Sequence, residues 1–315
     1  MNETSSRFLI SLWYGHISLG NTILANPSGS ALRQQIVVTS HGNVHVKIRD
    51  GNGPALMLLH GNGFSGDVFA RMIESPIFAD VPLIIPDLPG HGLSDNAKSP
   101  ANTYYFGGMA SCINEVVQTL NIEAFTVFGW SLGGQIAIEM LDVSPGLIGV
   151  AACGSAIVQR GPLGIISGFY FTRDLLLAGK PVMSAKEARH FAEICTGDTN
   201  YTDQIMRTDP ALRPALSRAA LFAKGRDQRL AIADTQTPVC IMLGVNDPFI
   251  RAETLEKVKG PTLFGGRCLM LKDSGHAPFL QAPNVFDPAL ASFHAHAVAQ
   301  SKITKPQNNI FQKAA

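Results

Sequence analysis

Charged side chains are scarce in this sequence and are not clustered by sign. Asp, Glu, Lys and Arg make up 16% of the 315 residues, and the formal net charge is +1 at pH 7. The usual charged share is about 25%, so a large buried surface and an apolar pocket are expected. Nucleic-acid binding needs a concentrated basic face, and no run of Lys and Arg supplies one. We therefore expect that the protein does not bind nucleic acid and that its substrate is hydrophobic.

Cysteine is sparse as well and forms no recognisable motif. The five cysteines stand singly, with no Cys-x-x-Cys pair and no Cys/His ligand spacing. Single cysteines in odd number are typical of small core residues in a reducing compartment. We expect a cytoplasmic protein with no disulfide framework, no metal site and no cofactor.

A long apolar run is also missing, since a membrane-spanning helix takes about 20 such residues. Residues 8–14 are apolar and follow Arg7, but His16 and Asn21 interrupt the stretch, and no cleavage pattern of small residues is clean. We expect residues 1–32 to form a flexible extension. A secretory signal and a start codon placed too far upstream are the alternatives. No stable membrane span is predicted.

One stretch near the middle of the chain has the pattern of a serine on a sharp turn. Residues 124–128 are strand-like, and Gly129 and Gly133 flank Ser131 at a spacing of two, before a run with helical spacing. Glycine at both flanks removes β-carbons that would clash in such a turn. An ordinary strand–helix turn can carry the same motif by chance. A catalytic role for Ser131 therefore also requires a base and an acid that could act with it.

Two further side chains follow predicted strands and complete a nucleophilic site. Asp247 and His276 each come just after an apolar run. Because the carboxyl ends of parallel strands meet at one edge of a sheet, these loops should converge on Ser131. The serine hydroxyl needs the imidazole as its base, and the imidazole needs a carboxylate to orient it. Asp273 lies too near His276 along the same loop, so Asp247 is the predicted acid.

A glycine-rich loop at residues 60–66, HGNGFSG, follows the apolar run at 55–59. We expect the backbone N–H of Asn62 to be one donor to an oxyanion, and the N–H of Leu132, directly after the serine, to be the other. The loop lacks the Gly-Lys-Ser/Thr ending of a phosphate-binding loop. Nucleotide binding is therefore not expected.

Three of these segments together resemble the α/β-hydrolase superfamily: HGNGFSG, DLPGHGLSD at 87–95 and FGWSLGG at 128–134. The resemblance implies a triad of Ser131, Asp247 and His276, and a structural role for His91. Haloalkane dehalogenases and epoxide hydrolases of this fold have an aspartate in place of the serine. Ser131 therefore favours an acyl-enzyme intermediate.

A narrower resemblance rests on HGNGFSG, VFGWSLGGQIAIEM, and DPFIRAETLEKVKG continuing to DSGHAPFLQAP. These stretches are similar to the α/β-hydrolase type of bacterial N-acyl-homoserine lactonases, over residues 34–293. The likeness implies quorum quenching by ring opening, with a small hydrophobic ester or lactone as the substrate. In that family the acid can be a glutamate and a cap tyrosine contacts substrate; here Asp247 and Phe191 are the nearest matching positions. A general carboxylesterase, a cofactor-independent dioxygenase, an acyltransferase and a signal-binding receptor are the alternatives, and the oligomeric state is left open.

The apolar runs predict a mostly parallel eight-stranded sheet flanked by helices, and the resemblance implies that this is the α/β-hydrolase fold. Residues 33–154 and 236–300 are assigned to this core, and 301–315 to a disordered tail. Residues 155–235 contain short helical runs and no strand of core length, so they are predicted to form a helical cap. The pocket is expected to be lined by Trp130, Ile165, Ile166, Phe169, Tyr170, Phe191 and Phe222.

Overall fold

The computed structural model describes residues 23–24, 32–159 and 161–304 of the chain. Within them the strands form one sheet in the order β1-β2-β3-β5-β4-β6-β7-β8-β9. The strands are β1 (Ile23–Leu24), β2 (Leu32–Thr39), β3 (Gly42–Arg49), β4 (Ala55–Leu59), β5 (Leu83–Pro86), β6 (Phe125–Trp130), β7 (Leu147–Cys153), β8 (Val239–Gly244) and β9 (Leu269–Leu271). The expectations for residues 1–22, 25–31 and 305–315 lie outside the described residues.

Helices flank this sheet. They are α1 (Ala70–Glu74), α2 (Pro100–Thr103), α3 (Phe106–Thr119), α4 (Leu132–Glu139), α5 (Pro162–Gly168), α6 (Arg173–Leu177), α7 (Ala185–Thr196), α8 (Thr202–Arg207), α9 (Leu212–Leu221), α10 (Gln228–Asp234), α11 (Ala252–Leu255), α12 (Pro278–Gln281) and α13 (Pro283–Thr304). Short 3₁₀ turns occupy Gly66–Phe69, Pro76–Phe78, Thr199–Tyr201 and Phe264–Gly266. The last helix continues to Thr304, past residue 301 where the sequence suggested a tail.

The predicted fold class is confirmed, with one correction to the strand count. Strands β2, β3 and β5 pair antiparallel, whereas β5, β4, β6, β7, β8 and β9 pair parallel. All eight strands predicted from apolar runs are present. A ninth, β1, pairs with the edge of β2 through two residues only, which is too short to leave a pattern in the sequence.

The parallel strands form the centre of the core. Every residue of β4, β6 and β8 is buried, as expected for strands covered on both faces. The five cysteines are buried free thiols, in agreement with their prediction as small core residues. The catalytic candidates lie in loops that leave this rigid sheet at its carboxyl edge.

Hydrogen bonds tie the insertion between β7 and β8 to the core. At its start, Tyr170 N donates to Phe249 O at 2.8 Å and Arg251 N donates to Gly168 O at 3.0 Å. Further along, Asp209 accepts a hydrogen bond from the Tyr104 hydroxyl. The insertion is therefore held against the loops that follow β5 and β8.

A buried polar network fixes the two loops beside the site. One oxygen of Asp87 accepts from Gly66 N at 2.7 Å, and the other accepts from Leu93 N at 2.9 Å and from His45 at 3.1 Å. Burial alone would raise the pKa of this carboxyl, but the His45 hydrogen bond, the nearby His60 and the two amides lower the pKa below its ordinary value. The 60–66 and 87–95 loops therefore share one buried anion.

Stability should fall in acid because His60 and His91 are fully buried without a carboxylate bonded to either ring. Burial lowers the pKa of both histidines below the usual 6.5. Their unfolded forms take up protons as the pH drops below that value, whereas the folded forms resist protonation. The unfolded state then binds more protons, so the free energy of unfolding decreases by up to about 1.4 kcal/mol per pH unit and histidine.

Urea unfolding between pH 5 and pH 8 tests this expectation. Stability should be level above about pH 7 and should decline below about pH 6.5. His91→Gln should show a shallower decline than the wild-type protein, since one of the two groups is gone. Equal unfolding free energies at pH 5 and pH 7 would contradict the account.

Candidate active site

Ser131 occupies a strained turn between β6 and α4. Its φ of 53° and ψ of −112° lie in a region that side chains rarely adopt. A β-carbon on Gly129 would lie 2.2 Å from Gly133 O, and one on Gly133 would lie 2.1 Å from Leu59 O. Only glycine therefore fits at either position. Ser131 N donates to Cys153 O at 2.8 Å, which fastens the turn to β7.

Ser131, His276 and Asp247 form a continuous hydrogen-bonded chain. His276 Nε2 lies 3.0 Å from Ser131 Oγ, and His276 Nδ1 lies 2.8 Å from Asp247 Oδ2. The carboxylate cannot donate, so Nδ1 carries the proton and Nε2 is left to accept the serine hydroxyl. His276 and Asp247 are 4% and 8% exposed, which shields these bonds from water.

The second oxygen of Asp247 is also fully engaged. Asp247 Oδ1 accepts from Phe249 N at 2.8 Å and from Ile250 N at 3.1 Å. The two amides come from the loop directly after the aspartate. The orientation of the carboxylate, and with it that of the imidazole, is thus set by the backbone.

The position of His276 is fixed by packing against its imidazole ring and by a hydrogen bond to its backbone carbonyl. Phe249 packs edge-on against it at a centroid distance of 4.8 Å, and a β-carbon on Gly154 would lie 3.2 Å from its Cε1. The indole Nε1 of Trp130 donates to His276 O at 2.7 Å. Trp130 is 1% exposed. We therefore assign Trp130 to holding the histidine, and not to the substrate contact predicted from the sequence.

The glycine-rich loop lies directly beside the serine. A β-carbon on Gly61 would lie 3.4 Å from Ser131 Cβ. The backbone N–H groups of Asn62 and Leu132 have no hydrogen-bond acceptor among the residues that the structure describes. Leu132 is the first residue of α4, whose N-terminal end carries partial positive charge. Two free N–H groups at this place can stabilise an oxyanion.

An aromatic cluster that spans core and insertion adjoins this loop. Its centre is the buried Phe64, which packs on Trp130 at 4.8 Å, on Tyr201 at 5.6 Å and on Phe191 at 6.5 Å between ring centroids. Phe191, predicted as a pocket residue, is buried in α7. Tyr201 was not predicted, because one tyrosine in a short polar turn gives no periodic signal. We call Phe64, Trp130, Tyr201 and Phe191 the aromatic cluster.

The other predicted pocket residues fall into two groups. Phe169 bridges to Ile250, beside the Asp247 loop, and Tyr170 lies under the Arg251 guanidinium at 5.1 Å. Ile165 is half-buried in α5. Ile166 and Phe222, in contrast, are 55% and 78% exposed. Because their side chains face solvent, the assignment of these two residues to the pocket is corrected.

Two cavities of the structure lie away from the site. One of about 560 Å³ lies between Lys47, Asp67 and Arg207, and one of about 690 Å³ lies beside Pro238, Phe264 and His296. Neither is lined by Ser131 or His276. The hydrogen-bonded chain, and not cavity size, therefore identifies the candidate active site.

No group of three or more His, Cys, Asp or Glu side chains in the described residues could hold a metal ion. None of the helices in this part of the chain combines the length and the hydropathy needed to cross a bilayer.

Comparison with known proteins places these features in a family. The family model described as the alpha/beta hydrolase fold matches residues 54–283. Among solved structures, N-acyl homoserine lactonase AidH complexed with N-butanoyl homoserine is similar, with a TM-score of 0.81 and 35% sequence identity. That match covers 84% of this chain and 97% of the lactonase.

Curated relatives extend the comparison. Pimeloyl-[acyl-carrier protein] methyl ester esterase of Stenotrophomonas maltophilia is 26% identical over 268 residues, which are 80% of this chain and 96% of the esterase. The magnesium-chelatase 30 kDa subunit of Rhodobacter capsulatus is 40% identical over 103 residues. The latter match spans 32% of this chain and 35% of the subunit, so it is local.

Proposed function

Because this chain belongs to the α/β-hydrolase fold family, we propose that it is a serine hydrolase that opens carboxylic esters or lactones through an acyl-enzyme. The observation that carries this proposal is the hydrogen-bonded chain from Ser131 through His276 to Asp247. Each of the three side chains is hydrogen-bonded to the partner that its proposed catalytic role requires. Ser131 is the nucleophile, His276 the general base and acid, and Asp247 the orienting carboxylate.

The reaction begins with attack of Ser131 Oγ on the carbonyl carbon of the substrate. The hydroxyl proton passes to His276 Nε2, and Asp247 stabilises the resulting imidazolium. Collapse of the tetrahedral intermediate breaks the bond between the carbonyl carbon and the ester oxygen, and His276 returns the proton to that oxygen. A water molecule, deprotonated by His276, then attacks the acyl carbon. The bond from that carbon to Ser131 Oγ breaks, His276 returns the proton to Ser131, and the acid is released.

The negative charge of the tetrahedral intermediate develops on the former carbonyl oxygen. We assign its stabilisation to the backbone N–H groups of Asn62, in the glycine-rich loop beside Ser131, and of Leu132, directly after Ser131. Such donors are already oriented before the reaction and need no rearrangement as the charge forms. One donor of this kind typically contributes about 100- to 1000-fold in kcat.

The proposed substrate class is the N-acyl-homoserine lactones, and the proposed role is quorum quenching. The 35% identity to a lactonase over 84% of this chain supports this choice. In a lactone the alcohol formed by ring opening stays tethered to the acyl group, so it remains beside His276 until water completes the reaction. The five free thiols favour a cytoplasmic location.

We assign residues 155–235 to a cap over the site, with two members of the aromatic cluster, Phe191 and Tyr201, facing the acyl tail. Phe191 and Tyr201 bring the insertion into contact with Phe64, next to the glycine-rich loop. An apolar wall at this place suits an acyl chain, which gains about 0.8 kcal/mol for each buried methylene. A general carboxylesterase is the second candidate, and the similarity to a methyl ester esterase over 80% of this chain favours it.

Mass spectrometry of the products separates these candidates. We expect the purified protein to convert an N-acyl-homoserine lactone into a product heavier by one water, and acidification to restore the lactone. An aryl ester of the same acyl chain serves as the control substrate. Turnover of the aryl ester alone would favour the carboxylesterase, and release of free homoserine lactone would instead indicate an amidase.

A further inference from the structure

Arg213 in α9 is a buried cation without a counter-ion. It is 1% exposed, and no carboxylate lies within ion-pair distance of it in the described part of the chain. Burial lowers the pKa of the guanidinium to about 10, so it stays protonated at neutral pH. Burying an unpaired charge is costly, and apolar residues of similar size often serve stability better. The contacts of this cation therefore need an explanation.

One of those contacts is made with Asn62, whose backbone N–H is a proposed oxyanion donor. Arg213 Nε donates to Asn62 Oδ1 at 3.2 Å, while Asn62 Nδ2 donates to Ala178 O at 2.9 Å. Both ends of the Asn62 amide are thus held by residues of the insertion. The remaining guanidinium N–H groups donate to Lys180 O, Ile205 O and Thr208 Oγ1.

The guanidinium also packs against the backbone of the loop. A β-carbon on Gly63, which has a φ of 90°, would lie 3.1 Å from Arg213 Nη2. On the other side of Asn62, Gly61 lies against Ser131. Arg213 therefore contacts the loop within three residues of the point where the loop meets the nucleophile.

We propose that Arg213 is a positioning residue, which holds the Asn62 peptide so that its N–H points at the oxyanion formed during attack by Ser131. The inference rests on the proposed function of that N–H. It makes the oxyanion hole depend on the insertion, because Arg213, Ala178 and Lys180 all belong to it. Arg213 itself is too deeply buried to contact substrate.

Arg49 provides a matched control for replacement of a buried arginine. It is also 1% exposed and donates to the carbonyl groups of Ile73, Phe78 and Val81, with no ion pair to a carboxylate in the described chain. It pairs with Leu83 at the start of β5, whereas the Asn62 loop follows the carboxyl end of β4. Arg213→Met and Arg49→Met should each lower the midpoint of thermal unfolding by about 3–10 °C, since both leave carbonyl groups without donors.

Only Arg213→Met should affect the chemical step. We expect its kcat to fall by about 10- to 100-fold, part of the value of one oxyanion donor, with KM within about threefold of wild type. Arg213→Lys keeps the charge but lacks the planar fork that bonds four acceptors, so its kcat should fall by about 10-fold. If Arg213→Met does not fold, the kcat of Arg213→Lys tests the proposal in its place.

Asn62→Ala tests the same link from the other end, since it removes the side chain and keeps the backbone N–H. Its kcat should fall as in Arg213→Met, and the double variant should fall no further, because one interaction has been removed twice. Multiplicative losses, or a kcat in Arg213→Met within twofold of Arg49→Met, would overturn the inference. If Ser131→Ala is inactive in that case, the proposed function survives; if Ser131→Ala is active, the proposed function itself fails.

Discussion

Replacing Ser131 by alanine should lower kcat by about 10⁴- to 10⁶-fold, because alanine has no hydroxyl with which to form the proposed acyl-enzyme. The loss corresponds to about 5–8 kcal/mol of transition-state stabilisation. Alanine keeps the β-carbon that serine already places at the φ of 53°, so the turn itself should persist. The measurement is the rate of lactone or aryl ester hydrolysis, together with thermal unfolding to show that the fold is unchanged.

Ser144→Ala is the matched control for this substitution. The Ser144 hydroxyl donates to Asn114 Oδ1 in a turn that follows α4, away from the imidazole. This variant should retain wild-type kcat. Hydrolysis by Ser131→Ala at the wild-type rate would mean that another nucleophile, or direct attack by water, carries the reaction.

Asp247→Asn should lower kcat by about ten-thousand-fold with little change in the fold. The physical reason lies in the two amides of Phe249 and Ile250, which both donate to Asp247 Oδ1. An asparagine must keep its carbonyl oxygen at that position, which turns its NH₂ group toward His276 Nδ1. The imidazole then carries its proton on Nε2, and in this tautomer it cannot accept the proton of Ser131.

Asp273→Asn distinguishes the predicted acid from its nearest rival. Asp273 lies in the same loop as His276 and has a φ of 56°, a conformation that asparagine tolerates well. Its kcat should stay within about twofold of wild type, because Asp273 has no bond to the imidazole. A large loss in Asp273→Asn with little loss in Asp247→Asn would show that the acid is wrongly assigned. Both variants are compared by kcat/KM on one substrate.

Much of the core could be predicted because buried strands leave a strong signal. The runs that became β4, β6 and β8 are continuously apolar, and the sheet covers both of their faces. The family and the ester-hydrolase class, predicted from the motifs around Ser131, are confirmed. The short edge strand β1 was not predicted, because two residues are too few to show the alternation of apolar and polar side chains that is typical of a strand.

The three side chains of the proposed triad could be placed together because each follows a strand, and strand ends converge. The walls of the pocket could not, since short helices in the insertion do not reveal which face is buried. Phe222 and Phe191 are equally apolar, yet the first is 78% exposed and the second 4%. The burial of Arg213 could not be predicted either, because an arginine on a polar helix normally faces solvent. Its burial is evident only from tertiary contacts such as the one with Asn62.

Stoichiometric labelling with a fluorophosphonate most directly tests the central claim, that Ser131 is a nucleophile activated by His276. We expect one phosphonyl group per chain, mapped by peptide mass spectrometry to Ser131, with hydrolytic activity lost in proportion to labelling and protected by substrate. Full activity in protein labelled completely at Ser131, or inactivation by a label on another residue, would contradict the account.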